Sequence, residues 1–262
     1  MMKHLKTTFC DLRELFDGKI SVKYIAEPIA SFDMEARSSD VRAFMKDQVY
    51  DVIGVRRNGL VVGYAKEADL MDGTLADHLV EFLPSDLVDD EAPLIDVFMA
   101  IRHSPQLFIQ VLGRVGGIVT RGDLQKTPVR MWLFGLISLI ELQLLRIICE
   151  RYPNGSWQKI LSPERVAAAQ NVLADRQRRN VAIDLADCLQ FSDKRDIVLE
   201  NNELRTALDF DSRQSGEHFL KNLEELRNNL AHAQDIITGY WPKIVDLAEK
   251  AERLLQRCEE VA

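Results

Sequence analysis

Two kinds of hydrophobic pattern succeed one another along the chain, and the change between them divides it. In the first half, apolar residues recur at helical spacing at Val41, Phe44 and Met45, and again at Ile95, Phe98 and Met99. Each stretch gives way to β-branched and aromatic runs, residues 51–56 and 107–113, which read as strands. A turn is expected at Asn58-Gly59, a pair suited to the positive φ angles of a two-residue hairpin, and at Gly113-Arg114. Short strands over 60–66 and 115–120 come next, then a helix start near Asp69 and near Asp123.

The two passages are copies. With a spacing of 54 residues, Phe44-Met45 matches Phe98-Met99, Gly59 matches Gly113, Gly63 matches Gly117, and Asp69-Leu70 matches Asp123-Leu124. Identities in one register signal a repeated supersecondary unit. The repeats are expected over about 20–72 and 73–126, within an α+β domain spanning 1–126.

After Asp123 the β pattern stops. Pro128 disfavours helix before it and suits a first helical turn, so a new domain is expected over 127–262. Helices are expected over Met131–Arg151, from the cap Ser162 to about Arg178, and over 182–189, 194–200, 216–231 and 241–258, making an all-α bundle. In 216–231, Phe219, Leu220, Leu223, Leu226 and Leu230 form a helical stripe that leaves Arg227 and Asn228 beside the buried face.

Composition narrows the function classes. The 262 residues are enough for two domains, and 33 basic against 41 acidic residues give a net charge of -8. Long-range, non-specific attraction to nucleic acid or anionic membrane is thereby disfavoured, so any RNA contact needs a local basic site. Cys10, Cys149, Cys188 and Cys258 lie far apart, which suggests neither a disulfide framework nor a zinc ribbon. The N-terminus lacks an apolar run of signal-peptide length, and a cytoplasmic protein is expected. From Met131 to Ile148 the apolar run is broken at Glu141, Gln143 and Arg146, so a buried core helix is expected rather than a membrane span.

The order of elements, with the ending Gly117-Ile-Val-Thr120-Arg-Gly-Asp123-Leu124, resembles the CBS repeat, two of which pack into a Bateman module. The resemblance covers roughly residues 20–126 and implies two β-α-β-β-α repeats. It further implies a regulatory adenine nucleotide (AMP, ADP, ATP or a relative) beside Gly117, its ribose held by Thr120 and Asp123. Read from the residues alone, a hydroxyl and a carboxylate three positions apart at a helix start can face a ligand or simply cap the helix. The first repeat departs from the pattern, with Lys66 where the family has Ser or Thr, so one nucleotide site is expected, in the second repeat.

Two segments of the second half are similar to the HEPN superfamily. One is Ile140-Glu141 through Arg146, like the family's first helix, and the other is Arg227-Asn228-Asn-Leu-Ala-His232. HEPN ribonucleases act as homodimers that bring two such motifs together and cut RNA without a metal. The resemblance implies that His232 moves the 2′-hydroxyl proton, Arg227 stabilises the phosphoryl charge and Asn228 orients one of them. Along an unbroken helix, Arg227 and His232 would lie about 140° apart and flank a groove. The plainer alternatives are an Arg227–Glu224 pair and an ordinary histidine near a helix end. Arg176 to Arg179 is expected to be a solvated charge run, and His218 and His232 are too isolated for a metal site.

The expectation is therefore a nucleotide-regulated, metal-independent endoribonuclease, with residues 125–129 transmitting the signal. Its rival is a non-catalytic nucleotide sensor whose helical domain dimerises or grips a partner.

Overall fold

A computed structural model describes residues 8–232, 234–236 and 241–261. Residues 1–7, part of the N-terminal segment read for targeting signals, lie outside the described residues. The chain separates into two compact units, Phe16–Pro128 and a helical unit comprising Val129 onward with the residues up to Leu15.

The first unit begins within α1 (Phe9–Lys19) and holds β1 (Glu27–Pro28), β2 (Ser31–Asp33), α2 (Ser38–Gln48), β3 (Val52–Arg57), β4 (Leu60–Lys66) and β5 (Val80–Glu81). It continues through β6 (Leu87–Asp89), α3 (Leu94–Ala100), β7 (Gln106–Val111) and β8 (Arg114–Thr120). They form two four-stranded sheets, β2-β3-β4-β5 and β1-β8-β7-β6. The repeat shows in the register: Val52 lies opposite Lys66 as Gln106 lies opposite Thr120, and a β-bulge follows both Val55 and Ile109. The hairpins turn through Asn58-Gly59 (φ 52° and 77°) and Leu112-Gly113 (φ 51° and 74°). The second turn is one residue earlier than Gly113-Arg114, because Leu112 leaves the strand and points into solvent.

The sheets do not follow the boundaries of the repeats in sequence. β5, from the second copy, pairs with β4 of the first, while β1, from the first copy, pairs with β8 of the second. Reciprocal backbone bonds accompany the exchange. Val22 N–H donates to Ala92 C=O (2.9 Å) as Leu75 N–H donates to Ala36 C=O (3.0 Å), and Leu94 donates to Ile20 as Ser38 donates to Gly73, both 3.0 Å. Gly63 and Gly117 serve this arrangement, for a Cβ at Gly63 would collide with the Val80 carbonyl oxygen, and one at Gly117 would lie 3.2 Å from the Glu27 oxygen.

Two of the matched identities are not equivalent in space. Val41 and Met45 on α2 are buried, and their counterparts by burial are Val97 and Ile101, 56 positions on rather than 54. The link from Met45 to β3 is seven positions and that from Ile101 to β7 is five, which accounts for the shift. Phe44 is therefore 38% exposed, edge-on to Phe32 and Tyr50, whereas Phe98 is fully buried. Val41, Met45, Ile53, Val55, Ala65, Leu70 and Leu75 make the first core, and Tyr64, Phe82 and Phe108 stack at centroid distances of 4.6 to 5.9 Å. The expected helices near Asp69 and Asp123 are short 3-10 turns, Glu67–Asp69 and Arg121–Gln125, so each copy departs from β-α-β-β-α at its end.

The helical unit contains α4 (Thr127–Arg151), α5 (Pro163–Arg178), α6 (Phe191–Glu200), α7 (Asn202–Ala207), α8 (Arg213–Ala231) and α9 (Trp241–Val261). The helix expected over 182–189 is a 3-10 turn, Leu185–Cys188, whose start is closed by Asp187 accepting from the Asp184 amide at 2.8 Å. Among the described residues α4 is the one helix long and apolar enough to cross a membrane, and 61% of its most apolar window is buried in the protein, as in a core helix. Residues 8–15 join this unit rather than the sheets: Phe9 N–H donates to Glu259 at 2.6 Å, and a Cβ on Gly135 of α4 would touch Leu12 at 3.1 Å.

Candidate functional sites

The hairpin β7–β8 delivers Thr120 and Asp123 to the end of an inner strand of the second sheet. Thr120 is the last strand residue, still extended at φ −115°, and the 3-10 turn Arg121–Gln125 brings Asp123 back beneath it. Asp123 is 8% exposed. Its Oδ2 accepts the Thr120 amide at 2.7 Å and the Thr120 hydroxyl at 3.0 Å, and its Oδ1 lies 2.9 Å from Lys126 Nζ. Lys126 also donates to the Ile25 carbonyl at 2.7 Å and pairs with Glu27. Burial works against the Lys126 ammonium, but its hydrogen bonds to Glu27 and Asp123 outweigh that and hold its pKa above the ordinary lysine value.

The Thr-x-x-Asp hydrogen bonds are not peculiar to this place. Thr74 donates to Asp77 Oδ2 from its amide (2.8 Å) and hydroxyl (3.1 Å), and Thr8 donates to Asp11 in the same way at 2.7 and 2.8 Å. All three are capping arrangements, the plainer of the two readings of Thr120 and Asp123. What distinguishes Asp123 is its burial and the lysine on its second oxygen. Asp69, its counterpart in the first repeat, is exposed, and Lys66 is exposed as well. Gly117 contributes close backbone packing on β1 and Ile109.

In the helical unit, residues read 86 positions apart come together. Glu141 of α4 accepts from Arg227 of α8 through Oε2 at 3.1 Å, and its Oε1 accepts from Lys194 of α6 at 2.8 Å. Arg227 also donates to Asn228 Oδ1 at 3.2 Å. The Arg227–Glu224 pair, the plainer expectation, is replaced: Glu224 binds Arg195 at 3.3 Å, and Arg227 goes to Glu141 instead. Lys194 is 5% exposed, so its charge requires the Glu141 carboxylate, while Arg227 keeps 31% of its side chain in solvent. Arg146 turns away to pair with Glu150 at 3.1 Å.

His232 is the C-cap of α8, its amide donating to the Asn228 carbonyl at 3.1 Å while its side chain stands exposed. One carboxylate of α4 thus anchors two cations, and an exposed imidazole lies at the end of α8, the helix that carries one of them. Arg178 and Arg179 pair with Asp175 at 3.8 and 3.0 Å, as befits a solvated charge run. Among the described residues no group of three His, Cys, Asp or Glu side chains is gathered to hold a metal ion. Lys126 and Lys194 were missed from sequence as site residues. The signal for Lys126 was its position three residues beyond Asp123, and Lys194 carried no local signal.

No protein-family model matches the chain, and no curated protein matches it. Solved structures to which it is similar include the CBS domain of the bacterial CNNM/CorC family Mg2+ transporter in complex with ATP, at 18% identity over 46% of this chain and 93% of that one, TM-score 0.37. The CBS-pair protein CBSX2 from Arabidopsis thaliana is 16% identical over 40% of this chain and 90% of its own, TM-score 0.36. An uncharacterized conserved protein from Pyrococcus horikoshii is 19% identical over 40% and 89%, TM-score 0.36. The matched part is N-terminal, where two copies of one α+β motif stand in sequence before a helical unit.

Proposed function

We propose that the protein is a nucleotide-regulated, metal-independent endoribonuclease, in which a CBS pair senses an adenine nucleotide and a HEPN-type helical domain cuts RNA as a homodimer. The observation that carries the catalytic part is the Arg227 guanidinium, steadied by Glu141 and Asn228 yet partly open to solvent, on the helix that ends at exposed His232.

In this reading His232 takes the proton of a ribose 2′-hydroxyl, and the 2′ oxygen forms a bond to the adjacent phosphorus. The bond from phosphorus to the 5′ oxygen breaks, and that oxygen leaves with a proton from the imidazolium of the dimer's second motif. Arg227 neutralises the charge that builds on the phosphoryl oxygens. A ligand ribose at the end of β8 would exchange hydroxyl contacts for those that Asp123 now makes with Thr120 and Lys126. Regulation requires the nucleotide to bind the active and inactive states with different affinity.

One feature favours the non-catalytic alternative: Met131, Phe134 and Leu142 are exposed along α4, an apolar stripe suited to a partner. RNA cleavage by the wild type and by His232→Ala, with and without AMP, ADP or ATP and with chelator present, separates the two. His232-dependent cleavage supports the nuclease, and its absence under every condition leaves the sensor. For the nucleotide site, calorimetry with Asp123→Ala is expected to show at least a tenfold loss of affinity, and unchanged affinity removes the site.

A further inference from the structure

We propose that Arg130 is a positioning residue for His232, an inference that rests on the catalytic reading above and deepens it. A helix leaves its last carbonyls without partners inside the helix. At the end of α8, Arg130 supplies them from the first turn of α4: its Nη2 donates to the carbonyls of Asn229 at 3.1 Å and Leu230 at 3.0 Å, and its Nη1 donates to that of Gln234 at 2.9 Å.

These three acceptors bracket His232. Two precede it and one, Gln234, lies two positions beyond it, so the planar guanidinium ties the last carbonyls of α8 to a carbonyl past the histidine. The turn is closed on its other side by His232 N–H to Asn228 C=O at 3.1 Å and Gln234 N–H to Asn229 C=O at 2.9 Å. With both flanks bound, the Cα of His232 is fixed while its side chain stays exposed. The positive charge also suits the negative end of the helix dipole. A lysine would place one point charge there and could not span the three carbonyls.

Through these three bonds Arg130 holds backbone carbonyls, and the role proposed for it is exerted through His232 and not on the reacting atoms. A general base displaced by about 1 Å loses on the order of a hundredfold in rate. Arg130→Gln is therefore expected to lower kcat for RNA cleavage by about 10- to 100-fold with KM within about twofold. The assay is run at a temperature at which circular dichroism shows both proteins fully folded. Unchanged kcat, or a loss confined to KM, overturns the proposal.

A second measurement does not depend on cleavage. Hydrogen exchange of the His232 and Gln234 amides is expected to quicken at least tenfold in Arg130→Gln, while that of Leu223 in the middle of α8 stays as in the wild type. Exchange unchanged at His232 and Gln234, or quickened equally along all of α8, also overturns it. If the wild type cuts no RNA, the catalytic reading fails by itself, and the exchange data still decide whether Arg130 holds the turn.

Discussion

The two sheets of the N-terminal unit share strand order, register, bulge and hairpin, and yet their ends differ in chemistry. Where the second sheet finishes in Thr120 and buried Asp123, the first finishes in exposed Lys66 and exposed Asp69. The scaffold is thus held by features that both copies keep: glycines under a crossing edge strand, positive-φ turns and reciprocal backbone bonds. A residue whose surroundings are alike in both copies is explained by the fold, and one whose burial and partners differ, as Asp123 differs from Asp69, is where ligand chemistry is to be sought. Gly117, like Gly63, packs closely against an edge strand, and the Asp123–Lys126 pair is the distinctive feature of the second copy.

Substitutions made in pairs test this contrast. The largest difference is expected on the helices. Phe98→Ala should cost about 3–5 kcal/mol in denaturant unfolding as a fully buried side chain, and Phe44→Ala about 1 kcal/mol. Equal costs would restore the 54-residue alignment of the two helices. Next come the glycines: Gly63→Ala, which meets a backbone oxygen, is expected to cost about 1–3 kcal/mol, and Gly117→Ala, with a looser contact, under about 1 kcal/mol by the same measurement. At the strand ends, Asp123→Ala should cost about 1–3 kcal/mol by stripping a partner from Lys126 and Thr120, while Asp69→Ala stays within about 0.5 kcal/mol. Matching losses at both aspartates would erase the asymmetry.

The smallest effect is electrostatic. The hydrogen bond from Arg42 to Glu67, 2.8 Å long, holds the Glu67 carboxyl below its ordinary pKa. Its contribution is present above the ordinary carboxylate value and lost as pH falls through the lowered one. Urea midpoints measured down the acid range should fall less steeply in Glu67→Gln than in the wild type.

Much of this was legible in the sequence. β3, β4, β7 and β8 announced themselves by composition and by glycine turns, and the end of α8 by its leucine stripe. β1 and β5 did not, since two residues are too few to show alternation, and Glu27-Pro28 is an unlikely strand by propensity. α1 went unread in a polar segment, and α7 is barely longer than a turn. The match of Phe44 with Phe98 was a true identity in sequence but not in space, because a link two residues shorter rotates the second helix pattern. At the sites, the types of Arg227 and Asn228 suggested a contact, but that Glu141 rather than Glu224 would receive the arginine depended on how α4 and α8 pack. Lys194 and Arg130 act through three-dimensional proximity alone, which no local pattern encodes.

The traded edge strands dictate how the polypeptide can be divided. A cut between residues 72 and 73, at the seam of the sequence repeat, would hand each fragment a strand that belongs to the other's sheet. Such fragments are expected to complement one another as a non-covalent pair, and either one alone to seek its missing strand from a second copy. The repeat is legible in the sequence, but each half lends the other an edge strand, so a single cleavage at the seam is expected to leave neither half complete.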